Sequence, residues 1–182
     1  LNAQPYIVQF AWIIWELKDW KFSEISRINQ FIKPKISIPF ASSQVHHIYD
    51  IDVKDAPPIE EKIIEFVNII NNVDAIIWHN IEYDEEMIKL ELKRLQKEYL
   101  YKAKQVICTM KTTVDFCGIK WNWERFKYPK LWELYKTLFW EYFIWAHDAM
   151  VDVEATLKAF LELESKKILN LKENKEEVLS LF

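Results

Sequence analysis

A single glycine, Gly118, serves all 182 residues. Glycine reaches φ > 0 without a Cβ clash, so it normally closes tight hairpins and ends helices. Average usage is about 7%, or roughly 13 residues in a chain of this length. The same chain holds nine tryptophans. Two of them stand where the backbone asks for glycine. Asp19-Trp20 separates an apolar run from an alternating one, and a hairpin turn there wants Asp-Gly. Trp140 follows the helical segment LYKTLF, the usual place for a glycine that ends a helix. A bulky side chain in the left-handed region is an outlier. The expectation is that the source reads UGA as glycine, while the sequence was translated with UGA as tryptophan. Trp12 lies inside a strand-like run and is expected to be genuine.

The length suits one domain with a sizeable core. Hydrophobic residues make up 51% and charged residues 29%, which excludes a disordered or collagen-like chain. No apolar run approaches the ~20 residues of a membrane helix, and no basic start precedes a short apolar segment. The net charge of −4 gives no global field that would draw in a polyanion, so such a site has to be local. Cys108 and Cys117 form no metal or disulfide pattern, which fits a reducing, cytoplasmic setting.

PYIVQFAWII reads as a buried strand and SEISRINQFIKP as an alternating one, paired as a hairpin. IPFASSQVHHI reads as a short helix capped by Ser42 or Ser43. PIEEKIIEFVNIINN is a helix with Pro58 near its first position and acids in its first turn. DAIIWHN is a short central strand. Asn80 caps the helix that follows, which is acid-first and base-last. KQVICTM is another strand, KTTVDFC a helical turn, and 118–128 a loop. PKLWELYKTLF and a segment beginning near His147 are the last helices. The order predicts an α/β domain with a mixed sheet.

Two places combine polar residues with element ends. In IIWHNIEYD, a buried strand ends at His79-Asn80 and Asp84 falls in the first turn of the next helix. Ligand crevices in open α/β sheets lie at the C-terminal ends of strands. Taken alone, Asn80 also reads as a plain helix cap and Asp84 as a complement to the helix dipole. In WAHDAMVDVEAT, Asp152 follows His147 by five positions. On one regular helix that spacing would point the two side chains about 140° apart. His147 therefore belongs to the entering loop, Asp148 is a natural N-cap, and Asp152 lies inside the helix. An exposed helical acid beside a loop histidine is the plain alternative. Cys117 with His147 would make a thiol-protease pair, but no spacing or elbow motif supports it.

Together the two segments resemble the DnaQ-like 3′–5′ exonucleases of the DEDDh type, within the ribonuclease H-like superfamily. HNIEYD supplies Asp84, and HDAMVD supplies His147 and Asp152. YIVQFAW, VHHI around His46, CTMKTTVDFC and PKLWELYKTLF also look like family segments, so the resemblance spans about 5–165. It implies a three-layer domain at 1–165, a mixed sheet flanked by helices, with a charged helical extension or tail at 166–182. Trp20, Trp78, Trp140 and Trp145 fall where that family has glycine. UGG codons at these four would refute the recoding expectation.

The resemblance implies hydrolysis of phosphodiester bonds at the 3′ end of single-stranded DNA, of the proofreading or repair type, with two Mg²⁺ or Mn²⁺ ions. Asp152 would be a direct metal ligand, Asp84 a ligand of the second ion, and His147 the general base. Asn80, Tyr83 and His46 would line the cleft for the 3′-terminal nucleotides, although Tyr83 reads equally as a core tyrosine. Lys111, Lys127 and Lys130 would hold the strand backbone. A 3′ end of RNA is the neighbouring substrate. A non-catalytic module that binds nucleic acid or a DNA polymerase subunit is the alternative of a different class. No membrane partner is implied.

One departure matters. The family's Asp-x-Glu motif, on a central first strand, belongs just upstream of LNAQPYIV, and no Asp or Glu precedes Glu16. That strand is expected to precede Leu1. Without it the 182 residues should have little activity, and two sheet edges should lack a partner.

Overall fold

The computed structural model describes residues 5–18, 21–102, 105–143, 148–169 and 180–181. The expected Asp19-Trp20 turn lies outside them. Strands β1 (Gln9–Lys18) and β2 (Lys21–Phe31) form the hairpin; helices α1 (Phe40–His46), α2 (Asp50–Val53) and α3 (Ile59–Asn72) follow. Strand β3 (Ala75–Trp78) leads into α4 (Ile81–Arg94), a 3₁₀ turn (Glu98–Leu100) and β4 (Gln105–Cys108). Short helices α5 (Thr109–Thr112) and α6 (Val114–Cys117), then α7 (Leu131–Phe139), α8 (Ala149–Ser165) and β5 (Ser180–Leu181), complete the order.

Alternation in β3 dictates the layers. Ile76 faces one side and joins Phe10, Trp12, Ile63, Phe66, Val67 and Leu92, in a core between the sheet and helices α3 and α4. Ala75 and Ile77 face the other side, with Leu134, Leu138, Phe160 and Leu163 of α7 and α8. A sheet with helices on both faces is the three-layer α/β domain that the residue pattern predicts.

The sheet order is β2-β1-β5-β3-β4. β1 and β2 are antiparallel, with a register shift between Ile14 and Trp15, whereas β3 and β4 run parallel. Between β1 and β3 the described residues place only Ser180–Leu181. These pair antiparallel with Trp15 and Glu16 and parallel with Ala75. A slot one strand wide thus separates the two halves of the sheet, and most of its edge donors and acceptors are unpaired by β5. Most of the helical extension or tail expected at 166–182 lies outside the described residues; Ser180–Leu181 form a two-residue strand.

Several expected caps differ. Helix α1 begins at Phe40, and the preceding Pro39 has φ −60 and ψ 136. The proline ring fixes that φ in advance, so the entry needs no serine cap. Ser43 is instead buried within the helix. Helix α3 begins at Ile59 with Pro58 as its cap residue. Asp148 does cap α8, accepting from the N–H groups of Met150 (3.0 Å) and Val151 (3.1 Å).

The shortage of glycine has a visible cost. Five described non-glycine residues take positive φ: His47, Asn80, Gln96, Trp140 and Lys167. Trp140 ends α7 at φ 61°, with its N–H donating to the Lys136 carbonyl, and its side chain is 89% exposed. Gly118 ends α6 at φ 58° in the same way. A left-handed L-residue costs about 1–2 kcal/mol, and the exposed indole recovers little by packing. Trp140→Gly should therefore stabilise the protein by about 0.5–1 kcal/mol, after the extra freedom of glycine in the unfolded chain is subtracted. Urea unfolding measures this, and a lower midpoint for the glycine variant would contradict it. The buried Trp12 and half-buried Trp15 keep ordinary strand backbone, yet neither indole N–H has a hydrogen-bond acceptor among the described residues.

Candidate active site

The site forms where β3 ends and α8 begins. Asn80 turns the chain from β3 into α4 with φ 64° and ψ 48°. Its side chain makes no capping hydrogen bond. Asn80 thus holds the N-cap position that the sequence predicts but without a side-chain cap, and asparagine suits it because it tolerates the left-handed region. The exposed amide is left facing the cleft. Asp84 sits in the first turn of α4 and Asp152 in the first turn of α8.

A cleft of about 1110 Å³ is lined by Asn80, Tyr83, Asp84, His46 and Asp152 together. Five of the six residues singled out in the sequence thus share one cavity. The sixth, His147, lies outside the described residues, as does Trp145; His147 directly precedes the cap Asp148 in sequence. Tyr83 is 59% exposed, so it is not a core tyrosine. His46 closes α1. Its Nδ1 accepts from the Ile48 N–H (3.1 Å), which leaves Nε2 to carry the proton of the neutral ring. Burial lowers its pKa, with His47 adding to the effect.

Asp84 carries the strongest electrostatic signature. Its pKa is pushed up to about 7, first by burial and then by the like charge of Asp152. Two carboxylates therefore press on each other inside one cleft. Because the folded-state value exceeds the unfolded one, the folded form keeps a proton that the unfolded form loses. Stability from this group falls as pH rises from about 4 to about 7. In chelator, Asp84→Asn should raise the melting temperature at pH 8 and leave it unchanged at pH 4. Equal effects at both pH values would contradict the charge pairing.

Two positioning residues were not legible in the sequence. Gln9 of β1 accepts from the Ala149 N–H (3.1 Å) and donates to Asp148 (3.3 Å), tying the start of α8 to the sheet. His79 places its Nδ1 3.0 Å from Thr109 Oγ1 and its Nε2 3.0 Å from the Pro129 carbonyl. A carbonyl only accepts, so Nε2 holds the proton. Burial pushes the His79 pKa down to about 4, which keeps the ring neutral. This ring joins the β3–α4 turn to the strip before α7, and both line the cleft. Nothing in the local pattern distinguishes such a histidine or glutamine from a solvated one.

Lys111 and Lys127, expected to hold a strand backbone, pair with Glu82 and Glu133. Burial raises the Cys117 thiol pKa, the wrong direction for a nucleophile. Among the described residues, no three His, Cys, Asp or Glu side chains converge as a metal cluster. Two facing carboxylates still fit the oxygen-rich half of a site for a hard ion such as Mg²⁺, which takes one or two carboxylates plus waters and substrate phosphates. Among the described residues, no helix is long and apolar enough to cross a membrane.

The family model described as RNase_T, Exonuclease, matches residues 1–160. The chain belongs to this exonuclease family. Among solved structures, the exonuclease-family chain is similar to one described as "Exonuclease X in complex with 5' overhanging duplex DNA". The likeness covers 88% of this chain and 84% of the other, at 20% identity and a TM-score of 0.52, which supports the shared fold. No curated protein matches. The exonuclease family typically uses divalent metal ions, and the fold is the ribonuclease H-like one, with Ser180–Leu181 between β1 and β3 among the described residues.

Proposed function

We propose that the protein is a metal-dependent 3′–5′ exonuclease acting on single-stranded DNA, in replication or repair. The observation that carries this reading is the pairing of Asp84 and Asp152 in one cleft, where the charge of one raises the pKa of the other. Phosphodiester hydrolysis builds negative charge on the attacking and leaving oxygens. A divalent ion, when bound, offsets that charge and lowers the pKa of water. Asp84 and Asp152 would hold the cation. His147, one residue before the cap Asp148 in the sequence, would take the proton from the attacking water, since its reference pKa of ~6.5 suits that task. Asn80, Tyr83 and His46 would seat the terminal nucleotide, with Tyr83 free to stack on a sugar or base. The similar Exonuclease X structure, bound to DNA, favours DNA over RNA.

The test is polarity. The full-length gene product, with Mg²⁺ or Mn²⁺, should release label from a 3′-labelled single strand at once. A 5′-labelled strand should shorten as a ladder. Immediate loss of the 5′ label, or no shortening in either metal, would overturn the reading. Preference for an RNA strand of equal length would replace its DNA specificity.

A further inference from the structure

Residues 118–130 hold four aromatic side chains, three lysines, one arginine and a single acid, Glu124, in a chain whose net charge is −4. This segment is an arm closed on itself by backbone hydrogen bonds. Lys120 and Phe126 form an antiparallel bridge. The Trp121 N–H donates to the Arg125 carbonyl (2.9 Å), and the Lys127 N–H donates to the Ile119 carbonyl (2.8 Å). At the tip the Asn122 side chain accepts from the N–H groups of Glu124 and Arg125, each at 3.0 Å. The arm buries little of what it displays: Trp121 is 75% exposed, Trp123 97%, Phe126 45% and Tyr128 59%.

Its cations differ in availability. Lys127 is held by Glu133, whereas Lys120 and Arg125 form no ion pair among the described residues. Tyr128 at the base of the arm lines the same cleft as Asp84 and Asp152. Exposed rings interleaved with free cations, leading away from an acidic cleft, match what a single nucleic-acid strand recognises. The rings stack on bases and the cations meet phosphates.

We propose that this arm binds the single strand on the 5′ side of the nucleotide being removed, with Lys120 and Arg125 on its phosphates and Phe126 and Tyr128 against its bases. The inference rests on the exonuclease reading and adds a second contact region to it. The arm acts on grip, not on chemistry. It lengthens the stay of a strand and leaves attack at the terminal linkage unchanged.

The test uses the full-length protein and its Lys120→Glu/Arg125→Glu double variant, with labelled oligothymidylate in Ca²⁺, followed by fluorescence anisotropy across a salt series. The variant should bind about tenfold or more weakly at low salt. Its plot of log K against log salt should be shallower by about 1.4, for two lost phosphate contacts at about 0.7 each. Hydrolysis of the p-nitrophenyl ester of thymidine monophosphate, too short to reach the arm, should be unchanged. Equal affinity and an equal salt slope, in a protein that still degrades oligonucleotides, would overturn the arm and leave the exonuclease reading intact. A parent protein that neither binds nor degrades the strand would overturn both. Both substitutions are on exposed side chains, and an unchanged circular-dichroism spectrum confirms that the comparison is between folded proteins.

Discussion

Replacing Asp152 by asparagine in the full-length protein is expected to lower kcat on single-stranded DNA on the order of 10³-fold. The substitution keeps the shape of the side chain, so α8 and its Asp148 cap should stay in place. What it removes is the charge that holds a divalent ion against the scissile phosphate, an effect worth several kcal/mol of transition-state stabilisation. Asp84→Asn should act on the same site and in the same direction. Because the two carboxylates interact, the double variant should be little worse than either single one. Single-turnover rates measured with Mg²⁺ decide the matter. Variants that retain near-parental rates, or effects that multiply in the double variant, would show that the acids do not share a cation.

His147→Ala is expected to cost about 10² to 10⁴ in kcat, the usual value of a positioned general base. Binding of the strand should change only modestly, because the histidine is assigned to proton transfer and not to grip. The pH–rate profile gives a sharper readout. The parent should gain activity through an apparent pKa near the ~6.5 reference value of histidine, and the variant should lose that limb. A variant with parental kcat, or one that retains the same acid limb, would remove His147 from the base role. The measurement belongs on the full-length product as its own organism decodes it, since Trp145 lies two residues before His147 in the sequence.

The elements that position the site were legible because each depends on local chemistry. Strand β3 is an apolar run, α4 starts with acids and ends with Lys93 and Arg94, and Asp148 is a good N-cap followed by an apolar helix. The resemblance added the order in which Asp84 and Asp152 meet. Four things were hidden. Asn80 holds the cap position that the sequence predicts, and only the structure shows that its φ is 64° and that its side chain makes no capping bond. Gln9 and His79 act across 140 and 50 residues of chain, a separation that no local pattern records. Lys111 and Lys127 looked like free cations, because their partners Glu82 and Glu133 are fixed against them only in the fold. The pairing of Ser180–Leu181 into the slot between β1 and β3 was hidden because it, too, joins distant stretches of chain.

The central claim is that Asp84 and Asp152 together hold a divalent cation in the cleft. Calorimetric titration of Mn²⁺ into the full-length protein, at a pH above about 7 where Asp84 is ionised, tests it most directly. The parent should bind Mn²⁺ with release of less than one proton per site, and either asparagine variant should bind at least tenfold more weakly, a loss of about 1.4 kcal/mol or more. Parental Mn²⁺ affinity in both variants would place the cation elsewhere and remove the basis for the hydrolytic site described above.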